Sequence, residues 1–405
     1  MEQQEQKVWI NLKCFKTELL PSAELETQMK MAKLLKNKKD MKKAQIVIGL
    51  GFGDEGKGIT TDFLASQNPE AVVIRFSGGQ QAAHTVMIDD RKHVHSSFAS
   101  GSLRGLPSYF TEHCTVHPVF LLNEREELKT KNGNIELHIH PLAKVTTPFD
   151  VWQNRTNARN LEHGTCGKGI GATMKRHESP YKLFAIDLIA PREMLMEKLK
   201  GIAYYYGFVD EKEVDELLHP FLEAVDSIDW KINDYTWLAS FNHLIFEGSQ
   251  GILLDMDHGV FPNVTYAHTT SKNACEICKL LKIENIEMYY VTRSYSTRHG
   301  NGWMSNEKEM NLRNNEEETC TFNEYQKELR TGEIDYNLLN YTLKLDGAYV
   351  FPSKKNLVIT CLDQIDEKFK VENLNMDFDA VYGSYSPYSK DFKQIFIPKN
   401  EAAKW

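Results

Sequence analysis

The chain has 405 residues, of which 41% are hydrophobic and 26% are charged, and these are the proportions of a globular protein rather than of a disordered chain. The 48 Lys and Arg residues are outnumbered by 56 Asp and Glu residues, so the net charge is −8 and nucleic-acid binding is not expected. Seven scattered cysteines, the lack of a signal-peptide core, and the lack of any apolar stretch near the roughly 18 residues of a membrane span predict a soluble cytoplasmic protein with no membrane partner.

Residues 1–41 differ in character from the rest of the chain. Ser22 can cap a helix that runs to Lys39 through a stretch rich in Glu, Lys, Met and Leu. The lysine-dense residues 33–40 are typical of a solvated face or a linker. We therefore expect an N-terminal extension over residues 1–41, either helical or disordered, followed by a single domain over residues 42–405.

The first core feature is a glycine-rich loop at residues 49–58, between an apolar strand at 44–48 and the start of a helix at 59–65. A strand, a glycine turn and a helix N-terminus present backbone N–H groups to phosphate. From Gly51 the spacing is that of a nucleotide-binding P-loop, G-x-x-x-x-G-K, but Gly58 stands where a Mg²⁺-binding Ser or Thr is usual. Asp54, inside the loop, is the candidate for the missing metal ligand.

Beyond residue 44, short apolar runs alternate with longer helical stretches, which predicts an α/β fold with a large, mostly parallel central sheet and a P-loop-like nucleotide site. Candidate strands lie at residues 71–76, 135–139, 243–246, 286–291 and 357–360. Polar or glycine-rich segments follow several of them, at residues 77–85, 247–251, 294–298 and 361–363. In an open α/β sheet the ligand lies beyond the carboxyl ends of the strands. We therefore expect these segments to meet the glycine loop at one site.

Several residues in these segments suggest chemistry. His84 ends the loop after the second strand, and with Asp54 it makes a plausible acid and base pair. A second glycine-rich loop at residues 163–171 carries Thr165 and Lys168, which could serve a phosphate. Asp363 has two acceptor oxygens, enough for the N1–H and N2–H₂ edge of guanine, although an exposed loop Asp is the simpler interpretation.

Two further groups have the composition of metal sites but a weaker pattern. Cys275 and Cys278 form a C-x-x-C in a helical stretch at residues 272–281, with no second Cys or His pair close behind. Residues 255–259, DMDHG, are explained equally well by turn capping. We expect neither group to be the site of the main chemistry.

Taken together, the loops resemble those of adenylosuccinate synthetases, and the resemblance runs from about residue 44 to the C-terminus. The family motif GDEGKG stands at residues 53–58, and residues 78–85, GGQQAAHT, are similar to GGHNAGHT. Residues 164–171, GTCGKGIG, are similar to GTTGRGIG. Residues 246–259, FEGSQGILLDMDHG, are similar to FEGAQGTLLDIDHG, and residues 295–298, YSTR, are identical to the family motif.

The resemblance implies a ligase that joins L-aspartate to the 6-oxo carbon of IMP at the expense of GTP. Asp54 would take the N1 proton of the purine, and His84 would act as the acid while the 6-oxygen attacks the γ-phosphate. Aspartate then displaces the 6-phosphoryl group. Mg²⁺ is expected on the side chain of Asp54 and the carbonyl of Ala83, and Lys57 is expected to neutralise phosphate charge.

The same resemblance assigns the remaining site residues by group. The catalytic group is Asp54, His84, Lys57 and Gln250. The nucleoside triphosphate group is Gly53, Glu55, Gly56, Lys57, Gly58, Thr85, Arg330, Asp363, Ser384 and Ser386. The purine monophosphate group is Asp54, Gln81, His84, Thr165, Cys166, Gln250 and Thr265. The amino-acid loop contributes Gln326, Lys327 and Arg330.

The chain also departs from the family pattern. The loop that usually ends R-R-x-G-W has Arg330 for its last arginine and Glu328 two positions earlier. The guanine-reading T-K-x-D keeps Asp363 but has Cys361 in place of the lysine. The family forms a homodimer in which a partner arginine reaches the nucleotide; here it has no clear match, and Lys175 or Arg176 is the candidate to replace it.

These departures leave alternatives open. The shortened C-terminal half is similar to that of the phage-type relatives, which use (d)GMP and ATP to make the 2-amino analogue. Those relatives usually have a small residue at the loop aspartate, whereas Asp54 is expected to crowd a 2-amino group. We therefore favour IMP and GTP, with (d)GMP and ATP as the alternative. A nucleotide-binding regulator without catalysis is the third hypothesis.

Overall fold

The computed structural model describes residues 42–157, 165–316, 318, 322–323, 325, 327–350 and 353–395. The N-terminal extension and the helix predicted from Ser22 lie outside these residues, as do His163 and Gln326. From Lys43 onward the chain forms one compact unit. Among the helices in the described part, none combines the length and the apolar character that a membrane span requires.

The centre of the fold is a ten-stranded sheet in which every neighbouring pair of strands is parallel except β16 and β17. Its strands are β1 (Lys43–Gly49), β2 (Val72–Arg75), β5 (Ser108–Phe110), β7 (Leu137–Ile139), β9 (Lys231–Ile232), β10 (His243–Gly251), β11 (Asn285–Arg293), β15 (Lys354–Thr360), β16 (Ala380–Gly383) and β17 (Lys393–Ile395). Their order is β17-β16-β15-β11-β1-β10-β2-β5-β7-β9. The predicted α/β class and its mostly parallel sheet are confirmed.

Strand β1 is central because both of its faces are apolar, as is typical of parallel sheets covered on both sides. Ile46 and Ile48 enter one buried cluster, and Val47 enters the cluster on the opposite face. On its two edges β1 pairs with β10 and β11, so that Val47 lies between Glu247 and Tyr289. The glycine loop that follows β1 therefore begins in the middle of the sheet.

Eight α-helices of the described residues connect or cover the strands. They are α1 (Lys57–Gln67), α2 (Pro118–Thr130), α3 (Pro148–Thr156), α4 (Ile170–Arg176), α5 (Arg192–Tyr205), α6 (Glu211–Ser227), α7 (Lys272–Leu280) and α8 (Tyr336–Asp346). Short 3₁₀ turns lie at Ser102–Arg104, Ala185–Ile189, Trp237–Ser240, Ile252–Leu254, Val371–Asn373 and Ser389–Asp391. The helical stretches predicted after residue 58, in residues 191–235 and in residues 272–281 are confirmed.

Three small sheets accompany the large one. Strands β3 (His84–Ile88) and β4 (Arg91–His95) form an antiparallel hairpin, and β6 (Thr115–Val116) pairs with β8 (Lys144–Val145). Strands β12 (Ser296–His299) and β13 (Phe322–Asn323) both pair with β14 (Lys327–Gly332). The segment predicted as an amino-acid loop is thus largely an antiparallel ribbon.

Candidate active site

The glycine loop is braced from within by Glu55. Its Oε1 accepts hydrogen bonds from the backbone N–H of Gly51 (3.0 Å) and Gly53 (2.8 Å), and its Oε2 lies 2.5 Å from the Lys57 ammonium. Burial raises the pKa of the Glu55 carboxyl, but Lys57 and the Gly53 amide outweigh burial, so the pKa is lowered overall. The Glu55 side chain, which was predicted to contact the nucleotide, therefore binds within the loop itself. The positive charge of Lys57 is already partly neutralised by Glu55.

Gly58 lacks a side chain because another residue occupies the space. A Cβ atom at position 58 would lie 2.7 Å from the Cβ of His84 and 3.3 Å from the carbonyl oxygen of Thr85. Carbon atoms in contact are ordinarily 3.5–4.0 Å apart. The first residues of β3 thus replace the usual P-loop hydroxyl, and this packing brings His84 directly against the N-terminus of α1.

His84 is held by two acceptors. Its Nδ1 lies 2.5 Å from the Glu247 carboxylate and its Nε2 lies 3.1 Å from the carbonyl oxygen of Ser249. Burial lowers the pKa of His84, and the charge of Glu247 opposes that shift. Because both ring nitrogens face acceptors, only the protonated ring can donate at both positions. The geometry suits a proton donor at this position.

Glu247 is the buried carboxylate that orients His84. It also accepts hydrogen bonds from the backbone N–H and the hydroxyl of Ser100, and the Arg75 guanidinium lies 3.9 Å away. Burial raises its pKa, but His84, Arg75 and Ser100 outweigh burial and hold the pKa at about 2. Glu247 is therefore ionised throughout the physiological range.

Two glutamines lie on the segments that carry and contact His84: Gln81 precedes it by three residues, and Gln250 follows Ser249, whose carbonyl contacts the His84 ring. Within the described residues, neither amide atom of Gln81 has a hydrogen-bond partner, and the Oε1 of Gln250 has none. Buried amides are ordinarily paired, so these atoms indicate a polar ligand. The segments that carry them are in contact, since a Cβ at Gly78 would lie 2.7 Å from the Ser249 Cβ and 3.2 Å from the Gln81 Nε2. The structure thus brings together these two residues predicted to hold the purine nucleotide.

Asp54 sits at the tip of the loop in the left-handed region, with a φ of 60°. Asp and Asn tolerate this region better than most side chains. The Nε of Arg293 donates a 2.5 Å hydrogen bond to the Asp54 carbonyl, and its Nη1 donates to the hydroxyl of Tyr295 (2.7 Å). That hydroxyl in turn donates to the side-chain oxygen of Gln364 (2.5 Å). A single chain of contacts therefore joins the Asp54 loop to the segment beside Asp363.

The second glycine-rich loop is fastened to the same site. Gln80 donates to the carbonyl oxygen of Lys168 (3.1 Å), and Asn154 donates to the hydroxyl of Thr165 (3.0 Å). Cys166, between them, is partly exposed, and burial raises the pKa of its thiol. The predicted phosphate loop is thus held next to the loop that carries Gln81.

The predicted triphosphate residues at the C-terminal end of the sheet lie beyond β15 and β16. Asp363 is half-buried and lies three residues after the end of β15. Cys361, between them, has a left-handed φ of 58°. The Ser384 hydroxyl donates to the Ser386 carbonyl (2.9 Å), and the Ser386 hydroxyl donates to Asp391 (2.6 Å). The two serine hydroxyls therefore shape their loop rather than project from it.

The predicted amino-acid loop is described only in part. Lys327 lies in β14, and Glu328 is exposed. The Nη1 of Arg330 donates to the carbonyls of Gly300 (3.1 Å) and Gly302 (2.8 Å), and its Nε donates to Glu307 (2.6 Å). The guanidinium of Arg330 is thus bound to Glu307 and to two backbone carbonyls in this structure.

Other sequence candidates have structural roles. Arg176 is fully buried in a two-point ion pair with Asp150 (2.9 Å each), so it cannot extend to a partner subunit, whereas Lys175 is exposed. The Asp255 carboxylate accepts from the backbone N–H of residues 257, 258, 269 and 270, which is turn capping. Cys275 and Cys278 are buried in α7, and burial raises the pKa of Cys275 to about 11.

The donor set fits Mg²⁺. Mg²⁺ prefers carboxylate and carbonyl oxygens and keeps several waters. Of the two carboxylates in the loop at residues 49–58, Glu55 is bound to Lys57, and the carboxylate predicted to hold the cation is that of Asp54. Ala83, which would add its carbonyl, is exposed directly before His84. Two predicted nucleotide contacts are partly buried. Thr85 directly follows His84, and Thr265 lies six residues after the 246–259 motif.

Two functional residues were not singled out from the sequence. Glu247 lay within a quoted motif, and the sign that could have identified it is an acidic residue inside a run of buried strand residues. Arg293 is likewise a charged residue in a run of buried strand residues, at the end of β11 and directly before the polar segment at 294–298. A charged residue inside a buried parallel strand must be paired with an opposite charge, so its position in the sequence already marks it as part of a polar site.

Comparison with known proteins identifies one family in sequence. A family model described as adenylosuccinate synthetase matches residues 46–389. The adenylosuccinate synthetase of Coxiella burnetii (strain Dugway 5J108-111) is 29% identical over 349 residues, covering 80% of this chain and 78% of that protein. The adenylosuccinate synthetase of Ehrlichia canis (strain Jake) is 29% identical over 368 residues, covering 82% of each.

Solved structures agree on the fold. A fully ligated adenylosuccinate synthetase from Plasmodium falciparum superposes with a TM-score of 0.63 and 20% identity, covering 87% of each chain. The succinoaminodeoxyadenylate synthetase of cyanophage S-2L, bound to dGMP and dATP, superposes with a TM-score of 0.64 and 16% identity, covering 87% of this chain and 95% of that one. At 16–20% identity, these superpositions show a shared fold and nothing further.

Proposed function

Because the chain belongs to the adenylosuccinate synthetase family of C–N bond-forming ligases, we propose that it condenses L-aspartate with the 6-oxo carbon of IMP, driven by GTP. The observation that carries this choice of purine is the carboxylate of Asp54, held in a left-handed loop whose carbonyl is anchored by Arg293. A carboxylate there accepts the N1 proton of IMP and crowds a purine with a 2-amino group.

In the proposed reaction, each residue acts on a stated atom. Asp54 accepts the proton from N1 of IMP, which makes the 6-oxygen a nucleophile toward the γ-phosphate of GTP. On substrate binding, His84 redirects the Nε2–H that faces the Ser249 carbonyl toward the oxygens between which the phosphoryl group moves, and Glu247 stabilises the protonated ring. The amine of aspartate then attacks carbon 6, and phosphate leaves with the 6-oxygen.

The remaining groups bind and orient. The amide of Gln81 and the Oε1 of Gln250, which have no hydrogen-bond partner among the described residues, are proposed to contact the purine nucleotide, and Lys57 lowers the negative charge between the phosphates. Mg²⁺, held by Asp54 and the Ala83 carbonyl, would supply further charge neutralisation on the transferred phosphoryl group. Arg330 is proposed to bind the aspartate carboxylate in place of Glu307.

The decisive experiment is a matrix of IMP, GMP and dGMP against GTP and ATP, each with aspartate and Mg²⁺, read by phosphate release and product mass. We expect turnover with IMP and GTP only when aspartate is present, and loss of turnover with EDTA. Asp54→Ala is the matched control and should release no phosphate. Turnover with dGMP and none with IMP would overturn the choice of purine. Activity of the wild-type chain no higher than that of Asp54→Ala would favour the regulator without catalysis.

A second candidate is the 2-amino reaction on (d)GMP with ATP. It is favoured by the structural likeness to the cyanophage protein, which was solved with dGMP and dATP, and by Cys361 in place of the guanine-contacting lysine. Asp363 stands against ATP, because its two acceptor oxygens suit the donors of guanine. The same matrix separates the two candidates, because it measures the choice between GTP and ATP separately from the choice of purine monophosphate.

We further propose a homodimer in which the exposed Lys175 of one subunit reaches the nucleotide of the other. Sedimentation equilibrium gives the mass of the assembly, and Lys175→Ala tests the residue. A dimer whose KM for IMP and GTP is unchanged by Lys175→Ala would refute the role of this lysine.

A further inference from the structure

A second group of ligand-type side chains lies outside the nucleotide site. His93 and His95 alternate on β4, so their side chains project from the same face of the strand. Glu124 of α2 faces them, and one ligand atom from each of the three residues lies within 4.8 Å of the others. All three side chains are buried: His95 is 0%, His93 1% and Glu124 7% exposed.

The hydrogen bonds around His95 determine which of its nitrogens carries the proton. Its Nδ1 lies 3.5 Å from the hydroxyl of Ser102, and that hydroxyl donates its own hydrogen to the carbonyl of Ala99. The hydroxyl can therefore only accept from His95, which puts the proton on Nδ1. The Nε2 then presents a lone pair, and it has no partner among the described residues although it is wholly buried. A buried acceptor in this state indicates a ligand.

His93 has the environment that orients a metal-binding histidine. Its Nε2 lies 3.5 Å from Oε1 of Glu124, and its Nδ1 lies 3.3 Å from the carboxylate of Glu127. A carboxylate that accepts from Nδ1–H leaves Nε2 free to bind a metal. The Lys131 ammonium also lies 3.3 Å from the Nδ1 and donates to Glu127 and the Lys92 carbonyl, both at 2.6 Å. A metal on Nε2 therefore requires Lys131 to give up its contact with Nδ1, so that Nδ1–H can face Glu127 instead.

Glu124 is fixed in place before any ion binds. Its carboxylate accepts hydrogen bonds from the backbone N–H of residues 96, 97 and 98, at 2.6–3.2 Å, and from the Ser96 hydroxyl at 2.8 Å. A ligand carboxylate held by such bonds has little freedom to lose when a metal arrives.

We propose that His93, His95 and Glu124 bind one divalent transition-metal ion of the zinc class, independently of the Mg²⁺ of the ligase reaction. Two imidazoles and a carboxylate are a donor set that zinc uses at 2.0–2.2 Å, with a further ligand completing four-coordination. Mg²⁺ is disfavoured because it prefers oxygen ligands in an octahedral arrangement.

The position of this site gives the metal a structural consequence. Strands β3 and β4 pair so that His84 lies directly opposite His95. An ion on His95 and Glu124 would tie the hairpin to α2 and thereby restrict the strand that begins with His84. The metal thus stabilises the fold around the active site rather than taking part in the transfer.

The test is metal content and spectroscopy on the full chain, with no nucleotide present. Protein dialysed against EDTA is loaded with Zn²⁺ or Co²⁺, desalted and analysed by mass spectrometry of the metal. We expect one ion per chain, tetrahedral Co²⁺ absorption in the visible range, and a melting temperature that rises with Zn²⁺. His95→Phe keeps an aromatic ring and removes the lone pair, so it should lose the ion and the thermal shift.

The controls separate this site from others. His268→Phe disrupts the Asp255, Asp257 and His268 group, and Asp54→Ala disrupts the proposed Mg²⁺ site; each should keep the ion. Wild-type protein that retains no Zn²⁺ or Co²⁺ would overturn the proposal even if His95→Phe fails to fold. An ion retained in His95→Phe, or an anomalous difference map with only water at His95, would overturn it as well. None of these readouts depends on ligase activity.

Discussion

The packing of His84 against Gly58 can be tested by restoring the hydroxyl that a P-loop usually has. In Gly58→Ser, the new Cβ would start 2.7 Å from the His84 Cβ. To reach an ordinary contact of about 3.5 Å, the start of β3 must retreat by roughly 0.8 Å. The substitution thus moves the proposed acid without removing it.

The expected cost follows from two opposing effects. Overpacking a well-filled site costs about 1–3 kcal/mol, whereas replacing Gly by Ser within a helix such as α1 gains about 0.5 kcal/mol. We expect the free energy of unfolding to fall by about 1–2 kcal/mol. A misplacement of about 1 Å in a catalytic group costs on the order of 10²-fold in rate. We therefore expect kcat to fall by about that factor.

Urea unfolding and phosphate release with IMP, GTP and aspartate measure the two effects. Gly201→Ala in α5 is the matched control, because a Cβ there meets only the Tyr181 ring at 3.6 Å. The control should retain full activity and gain about 0.5–1 kcal/mol of stability, because Ala is the better helix former. Full activity and unchanged stability in Gly58→Ser would refute the reasoning, since His84 would then not occupy the space of the hydroxyl.

Three further substitutions test other contacts. Arg176→Met leaves the buried Asp150 carboxylate without its ion pair, and we expect urea unfolding to show a loss of about 3–5 kcal/mol. Glu247→Gln removes a carboxyl whose pKa is about 2 when folded and 4.5 when unfolded. The wild type should therefore lose on the order of 3 kcal/mol between pH 4.5 and pH 2, and the variant should lose less over that range. Gly167→Ala puts a Cβ at a φ of 70° and 2.7 Å from the Tyr325 ring, so the KM for IMP should rise roughly tenfold or more.

Each of these has its own control. The double variant Arg176→Met and Asp150→Asn removes both charges and should regain part of the lost stability. Identical acid unfolding of Glu247→Gln and the wild type between pH 4.5 and pH 2 would contradict the lowered pKa. For Gly167→Ala, a changed KM for GTP with an unchanged KM for IMP would show that this loop does not serve the monophosphate.

Much of the fold could be predicted because the parallel strands are continuous apolar runs. The strand at 44–48 and the helix after residue 58 carry their signal in single short windows, and glycines mark the turn between them. Strand β10 was predicted only to residue 246, whereas it continues to Gly251. Its second half is polar, and Glu247 is tolerated there only because His84, Ser100 and Arg75 surround it. That compensation comes from residues distant in sequence.

The candidate site was less predictable wherever polar residues bind one another. The sequence showed that Gly58 lacks a hydroxyl, but only packing shows that His84 takes its place. Glu55 and Arg330 carry charges suited to ligands, yet Glu55 is paired with Lys57 and Arg330 is paired with Glu307. The ribbon of β12, β13 and β14 was taken for a loop because its residues lack apolar alternation, the usual sign of a strand.

The order of strands also bears on how the protein is made. Ile46 of β1 pairs with Phe246 of β10, 200 positions later in the chain, while β2 is separated from β1 by that strand. At 5–20 residues per second, the ribosome adds those 200 residues in roughly 10–40 s. During this time the strand before the glycine loop has neither of its neighbours, so its edges are open to aggregation. The glycine loop therefore cannot take its place between its neighbouring strands until β10 and β11 have both been synthesised.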